Sequence, residues 1–201
     1  RRRAAYVERI EPEPAPYERK RRVIKDSLAK AIRLGVPFTP MKGRGGYHVG
    51  EFFDFDSLWT FWAKDVIARG KEIAVQTKYD GIRMVIHKIG RTVRIFTEDE
   101  KRDRARIFPE IVAEVRALPA DNAILDTEFV WWRKGEPVAR EDMLAFVSGK
   151  EPITGEEIHV NCHDCLWHGS EALDGLGYLD RLKHLREVLP KDGRFAKRAP
   201  Y

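Results

Sequence analysis

Cysteine is scarce: Cys162 and Cys165 are the two thiols in a chain of 201 residues. Two cysteines cannot build a disulfide framework, and they point to a reducing compartment. Long apolar runs are absent as well. None approaches the roughly 20 residues a helix needs to cross a bilayer, so no membrane role is expected. Charge of one sign is also lacking, with 37 basic residues against 32 acidic ones for a net +5. A third of the chain is charged, but the mixture of signs argues against wholesale disorder. No internal repeat divides the sequence, whose length suits one domain or one domain with a short attachment. It opens on Arg1-Arg2-Arg3 without an initiator methionine and without a hydrophobic stretch behind them. That is no signal peptide; the expectation is the edge of an excised or processed segment.

What is present starts with apolar content, 43% of residues, enough for a real core. The net charge is concentrated at one end. Residues 1–22 hold eight Arg or Lys against four Glu, and the rest of the chain is nearly balanced. Such a segment suits phosphate contacts to a duplex, although a solvated linker and helix start is the plainer account. Glu11 to Pro16 reads as a stiff linker. Helical spacing predicts a helix over Glu18 to Leu34 with Gly35 as its stop, followed by a Pro- and Gly-rich loop over Val36 to Gly50. A second helix is predicted from Asp56 or Ser57 to Arg69, burying Trp59, Trp62, Val66 and Ile67, with Gly70 ending it.

From Glu72 the period becomes two, predicting a strand to Asp80. Ile82 to His87 and Thr92 to Phe96 are expected to form a hairpin. Helices are predicted over Pro109 to Leu118, Arg140 to Val147 and Tyr178 to Leu189, and strands over Ala123 to Trp132 and Ile158 to Leu166. Antiparallel pairing with few long helices implies an α+β fold.

The sharpest chemical signal is Lys78-Tyr79-Asp80-Gly81-Ile82-Arg83. A lysine near a strand end, followed at once by a glycine, is held while its neighbours curve round a ligand. Gly81 permits close backbone approach or an unusual φ. An ordinary lysine amine is protonated and cannot attack; a desolvated pocket with a second cation, here Arg83, would free the nucleophile. Arg83 could also hold phosphate oxygens with its two-pronged donor fork. The alternative is a charged strand end in solvent.

Lys78-Tyr-Asp-Gly81 with Arg83 resembles the adenylation motif of ATP-dependent DNA ligases, whose superfamily also includes RNA ligases and mRNA capping enzymes. Other segments follow in the family's order. Pro40-Met41 resembles the loop passing the adenine pocket, and Ile124-Leu-Asp-Thr-Glu128-Phe-Val resembles the strand presenting a functional glutamate. Val160 to Asp164, with the helix carrying Arg181, resembles the segment after it. Strand alternation places Glu128 on one face with Ile124, Asp126 and Val130, and Leu125, Thr127 and Phe129 on the other.

The resemblance implies a nucleotidyltransferase (ATP-grasp-like) fold of largely antiparallel sheets flanked by helices, incomplete here. Residues 1–35 would be a basic linker and helix placed like the end of an upstream DNA-binding domain, and 36–201 a partial adenylation domain. The implied activity is ATP-dependent DNA ligation through lysyl-AMP on Lys78, of use in DNA repair, replication or recombination. Gln76, Lys78, Tyr79, Gly81, Arg83, Glu128 and His163 would bind the nucleotide, and Glu128 a divalent metal, Mg²⁺ or Mn²⁺. The partner would be nicked double-stranded DNA, the state a monomer and the location intracellular.

Four positions depart from the family pattern. Gln76 stands where a glutamate often reads the adenine amino group; its amide oxygen can accept the same hydrogen bond. His163 stands where an aromatic residue usually stacks on adenine. Thr97-Glu98 replaces the usual Ser-Arg, leaving Arg94, Arg102, Arg104 or Arg106 to compensate. The family's later glutamate and lysine pair, and its oligonucleotide-binding domain, are not in the sequence, so the isolated chain is expected to adenylate itself poorly. An RNA ligase or capping-type enzyme is the near alternative, and a non-catalytic nucleic-acid-binding scaffold the distant one. Cys162 and Cys165 have the spacing of a zinc knuckle, with His163 and His168 nearby. With no second cysteine pair, buried small hydrophobes are expected instead.

Overall fold

The computed structural model describes residues 32–40, 64–70, 74, 76–98, 101–149, 157–190 and 196–198. A short helix, α1 (Lys64–Ala68), leads to the hairpin of β1 (Ile82–Ile89) and β2 (Thr92–Thr97). A 3₁₀ turn (Ala105–Ile107) precedes α2 (Pro109–Arg116), followed by the long strand β3 (Asn122–Arg133), β4 (Glu136–Pro137) and α3 (Arg140–Val147). The second long strand, β5 (Glu157–His168), is followed by β6 (Glu171–Ala172), α4 (Tyr178–Val188) and β7 (Ala196–Arg198). The sheet runs β2-β1-β3-β5-β6 with antiparallel neighbours; β4 extends β3, and β7 pairs with β5 in parallel. This is the expected α+β fold.

The sheet divides by its own alternation. Met84, Ile86, Ile95, Leu125, Phe129, Trp131, Val160 and Cys162 form one core with Ile111 and Val115 of α2, Met143 and Val147 of α3, and Leu182, Leu185 and Val188 of α4. Burying a Leu, Ile or Phe side chain contributes about 1.5–3 kcal/mol, so the helices are held by these stripes. A smaller cluster of Ile32, Val85, Ile124 and Leu166 lies apart from it. Both cysteines are buried and free, as expected of small core residues.

Several expectations need correction. Residues 32–34 are not the end of a helix: Arg33 bridges Val36 across a tight turn with Gly35 at φ 74°. The rest of that predicted helix, Met41 and the Trp59–Trp62 half of the second one lie outside the described residues. Within α1 Ile67 is exposed rather than buried. Gln76 to Asp80 form no strand; regular pairing begins at Ile82.

The turn is held by β1 and β2 instead of by helical bonds. The Gly35 N–H donates to His87 Nδ1 at 3.0 Å, and Arg94 donates to the Gly35 carbonyl at 3.1 Å. His87 is wholly buried, with the Phe96 and Phe38 rings 5.2 and 5.8 Å away. With Nδ1 accepting, Nε2 carries the proton. Burial, helped by Arg94 and opposed by Asp103, lowers the His87 pKa from 6.5 to about 4. A depressed folded-state pKa means that stability is fully present above pH 6.5 and is lost as pH falls toward 4. Thermal melts across that window should reveal a loss of up to about 3 kcal/mol, since one pKa unit is roughly 1.4 kcal/mol. His87→Gln, which can still accept from Gly35, should flatten the profile; an unchanged slope would refute the assignment.

Candidate active site

β1 and β3 set Arg83 opposite Glu128 and Val85 opposite Asp126. As alternation predicts, Leu125 and Phe129 enter the main core, while Ile124 packs in the smaller cluster with Val85. Arg83 and the two carboxylates therefore meet on the sheet face opposite the main core. The Arg83 Nε donates to Asp126 Oδ1 at 2.9 Å and Nη2 to Oδ2 at 2.5 Å, a two-pronged pair. That hydrogen-bonded pair raises the Arg83 pKa against the opposing effect of burial. Asp126 had been read as sharing the face of Glu128, but without a role. The signal was available, because two carboxylates on one face of an apolar strand need a cation.

Glu128 is engaged from the motif itself. Its Oε1 accepts the Gly81 N–H at 3.0 Å. Burial pushes the Glu128 carboxyl above its ordinary range, with the Gly81 N–H, Arg140 and Arg83 acting against it. At Gly81, just before β1, the backbone passes close to β3. A Cβ built on Gly81 would lie 2.2 Å from the Phe129 carbonyl oxygen. Its φ is outside the left-handed region, so close approach is the reason for glycine here.

Lys78 precedes this cluster in the irregular segment. It is exposed and makes no hydrogen bond or ion pair with a described residue. Tyr79 is half-buried, its ring 6.0 Å from that of His163 and tilted by 43°. His163 owes its place to an irregularity. Asp126 pairs with Asp164 but Thr127 with Cys162, so His163 is an extra residue in β5. Leu166 is a second, between Cys165 and Trp167. Bulges of this kind re-aim side chains, and burial holds the His163 ring in its neutral form by lowering its pKa.

The first turn of α4 supports the same point. The Tyr178 hydroxyl donates to the His163 carbonyl at 3.0 Å. Arg181 grips Asp164 with Nε and Nη2 at 2.7–3.0 Å, and its guanidinium lies 5.4 Å from the Tyr178 ring centroid. Burial pushes the Asp164 carboxyl up and Arg181 opposes it; burial likewise drives Tyr178 up to about 12. The Gln76 amide is beside the Tyr178 hydroxyl. Its Nε2 is buried and without a hydrogen-bond partner among the described residues.

The structure thus joins Gly81, Arg83, Asp126 and Glu128, and separately Tyr79 with His163, and Gln76 with Tyr178. Glu98 is near enough to Arg83 to raise its pKa, so the position expected to carry an arginine presents an acid to one. Arg94 is committed to Gly35. For a hard divalent cation, Glu128 offers one half-buried carboxylate with Oε1 already engaged. It belongs to no cluster of three ligating groups among the described residues, so an ion held there would have to take its other ligands from water and phosphate.

The chain is similar to known proteins over most of its length. The family model for the ATP dependent DNA ligase domain matches residues 62–199. A probable DNA ligase of Rhodococcus opacus is 35% identical over 167 residues, covering 80% of this chain and 29% of the relative. One from Streptomyces griseus is 29% identical over 170 residues, covering 81% and 30%. A DNA ligase of Methanothermobacter thermautotrophicus is 36% identical over 119 residues, 57% of this chain and 20% of that protein. The chain therefore spans about three tenths of such relatives, or less. Among solved structures, the ligase domain from M. tuberculosis LigD aligns with a TM-score of 0.50 at 21% identity, covering 62% of this chain and 38% of that one. That likeness concerns the fold.

Proposed function

Because the chain belongs to the ATP dependent DNA ligase domain family, we propose that it carries the self-adenylating centre of a polynucleotide ligase. One observation carries the reading. The glycine three residues after Lys78 is tied to Glu128, and the arginine two residues further is tied to Asp126 on the same strand. In this reading the lysine, three residues before Gly81, works with a guanidinium and two carboxylates, the groups a triphosphate and its cation require.

In this proposal Lys78 Nζ, deprotonated, attacks the α-phosphorus of ATP, pyrophosphate leaves, and a P–N bond joins AMP to the lysine. The 5′-phosphate of a nick then displaces the lysine and takes the AMP. Attack by the 3′-hydroxyl forms the phosphodiester and expels AMP. Arg83 orients phosphate or sugar oxygens, with Asp126 holding its fork in place. Gln76 reads the adenine edge through its amide, in whichever of its two orientations the base selects. Tyr79 and the neutral His163 ring flank the base. Glu128 would hold Mg²⁺ or Mn²⁺, which when bound screens the phosphate charge.

Nicked double-stranded DNA is the proposed partner, engaged by a monomer inside the cell. Nick sealing by the full-length protein is the test. Sealing of a 5′-phosphorylated DNA nick with ATP and Mg²⁺, far faster than an RNA nick, is expected. Preference for RNA would move the assignment to the RNA ligase branch, and no sealing with no AMP adduct would move it to a nucleic-acid-binding scaffold.

A further inference from the structure

The last residue of β5 meets the second half of α4 in a way that the nucleotide site does not use. His168 closes the strand, its backbone paired with Ala123 and Glu171. His184 and Glu187 stand one turn apart on α4, on the same side of the helix at i, i+3. His168 Nδ1 is 3.1 Å from His184 Nδ1 and 3.6 Å from Glu187 Oε2. The three ligand atoms all lie within 4.8 Å of one another.

Two imidazole nitrogens and a carboxylate oxygen converge on one point. With metal–ligand distances of about 2.0–2.1 Å, a tetrahedral zinc ion separates its ligand atoms by roughly 3.3–3.4 Å. The two measured separations bracket that value. Two imidazoles with one carboxylate is a donor set suited to borderline ions of the zinc type rather than to magnesium or calcium. Access is open, since Glu187 is 65% exposed and His168 25% exposed at the side chain. The neighbouring thiols stand aside. Cys165 Sγ is turned to the Trp167 carbonyl and Cys162 is fully buried.

We propose that His168, His184 and Glu187 form a site for one divalent transition-metal ion, with Zn²⁺ as its natural probe and water completing the coordination. It does not depend on the ligase reading. Asn161 is the register partner of Glu128, and seven residues of strand, roughly 20 Å, separate it from His168. The ion ties the second half of α4 to the end of β5, as the Arg181–Asp164 pair ties the first turn. α4 thereby becomes fixed at both ends.

The test uses the full chain, stripped with chelator and titrated with Zn²⁺, with Co²⁺ as a spectroscopic substitute. One ion per chain is expected at micromolar concentration, with visible Co²⁺ bands of a four-coordinate nitrogen–oxygen site. The thermal midpoint should rise by roughly 5–10 °C at hundredfold excess over Kd. His168→Ala and His184→Ala should each remove saturable binding, and Glu187→Gln should weaken it at least roughly tenfold. Because Glu187 is exposed, that variant keeps the metal-free melting temperature and decides the matter if the histidine variants misfold. Cys162→Ser/Cys165→Ser should bind as the parent does. Uptake only at millimolar Zn²⁺, or uptake unchanged in Glu187→Gln and both histidine variants, overturns the site.

Discussion

Lys78→Ala is expected to abolish the covalent AMP adduct on the full-length protein, lowering its rate of formation by a factor on the order of 10⁴ or more. No other group takes over when the nucleophile itself is removed. Lys78→Arg should fail as completely, because a guanidinium stays protonated at any working pH. Thermal stability should barely move. Lys78 is exposed and makes no hydrogen bond or ion pair with a described residue, so surface truncation there falls within about 0.5 kcal/mol. Loss of the adduct with an unchanged melt separates a chemical role from a structural one. Intact-mass measurement after incubation with ATP and Mg²⁺ reads the adduct directly. An AMP mass increment that persists in Lys78→Ala would place the nucleophile elsewhere.

Gly81→Ala is the second large effect, and it strikes stability and chemistry together. The added methyl would meet the Phe129 carbonyl oxygen at 2.2 Å, with the Val130 side chain at 3.0 Å. Backbone on both sides must move, since neither contact is the free end of a flexible side chain. Overpacking of this kind costs about 1–3 kcal/mol. Separating the strands also strains the Gly81 N–H to Glu128 bond, and an unsatisfied buried partner adds about 1–3 kcal/mol. A fall in thermal midpoint of roughly 10 °C follows for a chain of this size. Below that temperature adenylation should still fall, because the motif has been lifted from Glu128. A melt within 2 °C of the parent, by differential scanning calorimetry, would show that the contact carries no such weight.

Both variants touch a part of the fold that is legible in the amino-acid sequence. The strand of Asp126 and Glu128 was legible because an alternating strand in a two-faced sheet has one solution once its apolar residues are known. The helices over 109–116, 140–147 and 178–188 were legible for the same reason, with apolar stripes meeting one core. The turn at 33–36 was not. Its apolar neighbours continue a helical period, but the Gly35 N–H is claimed by a buried histidine 52 residues away, a tertiary contact to which periodicity is blind. Gln76 to Asp80 continue a strand-like alternation and form none, since regular pairing begins at Ile82. The role of Arg83 was left open between phosphate contact and pocket charge; its partner Asp126 became clear through the register of β1 on β3. His168 stands near the zinc-knuckle spacing in the sequence, but its partnership with His184 and Glu187 is not legible there, because strand and helix lie sixteen residues apart at their nearest ligands.

The irregularities of β5 carry one more consequence, which concerns parity. Cys162 and Cys165 are three residues apart, an odd number, so a regular strand would send them to opposite faces, yet both are buried in the main core. The extra residue at His163 shifts the frame by one, which brings Asp164 opposite Asp126 and Cys165 opposite Leu125. The extra residue at Leu166 shifts it again, so His168 returns to the side it would have held with neither insertion. β5 behaves like a message with a frameshift and its suppressor: only the stretch between them is read in the alternate frame, and that stretch holds His163 and Asp164 beside Tyr79 and Arg181.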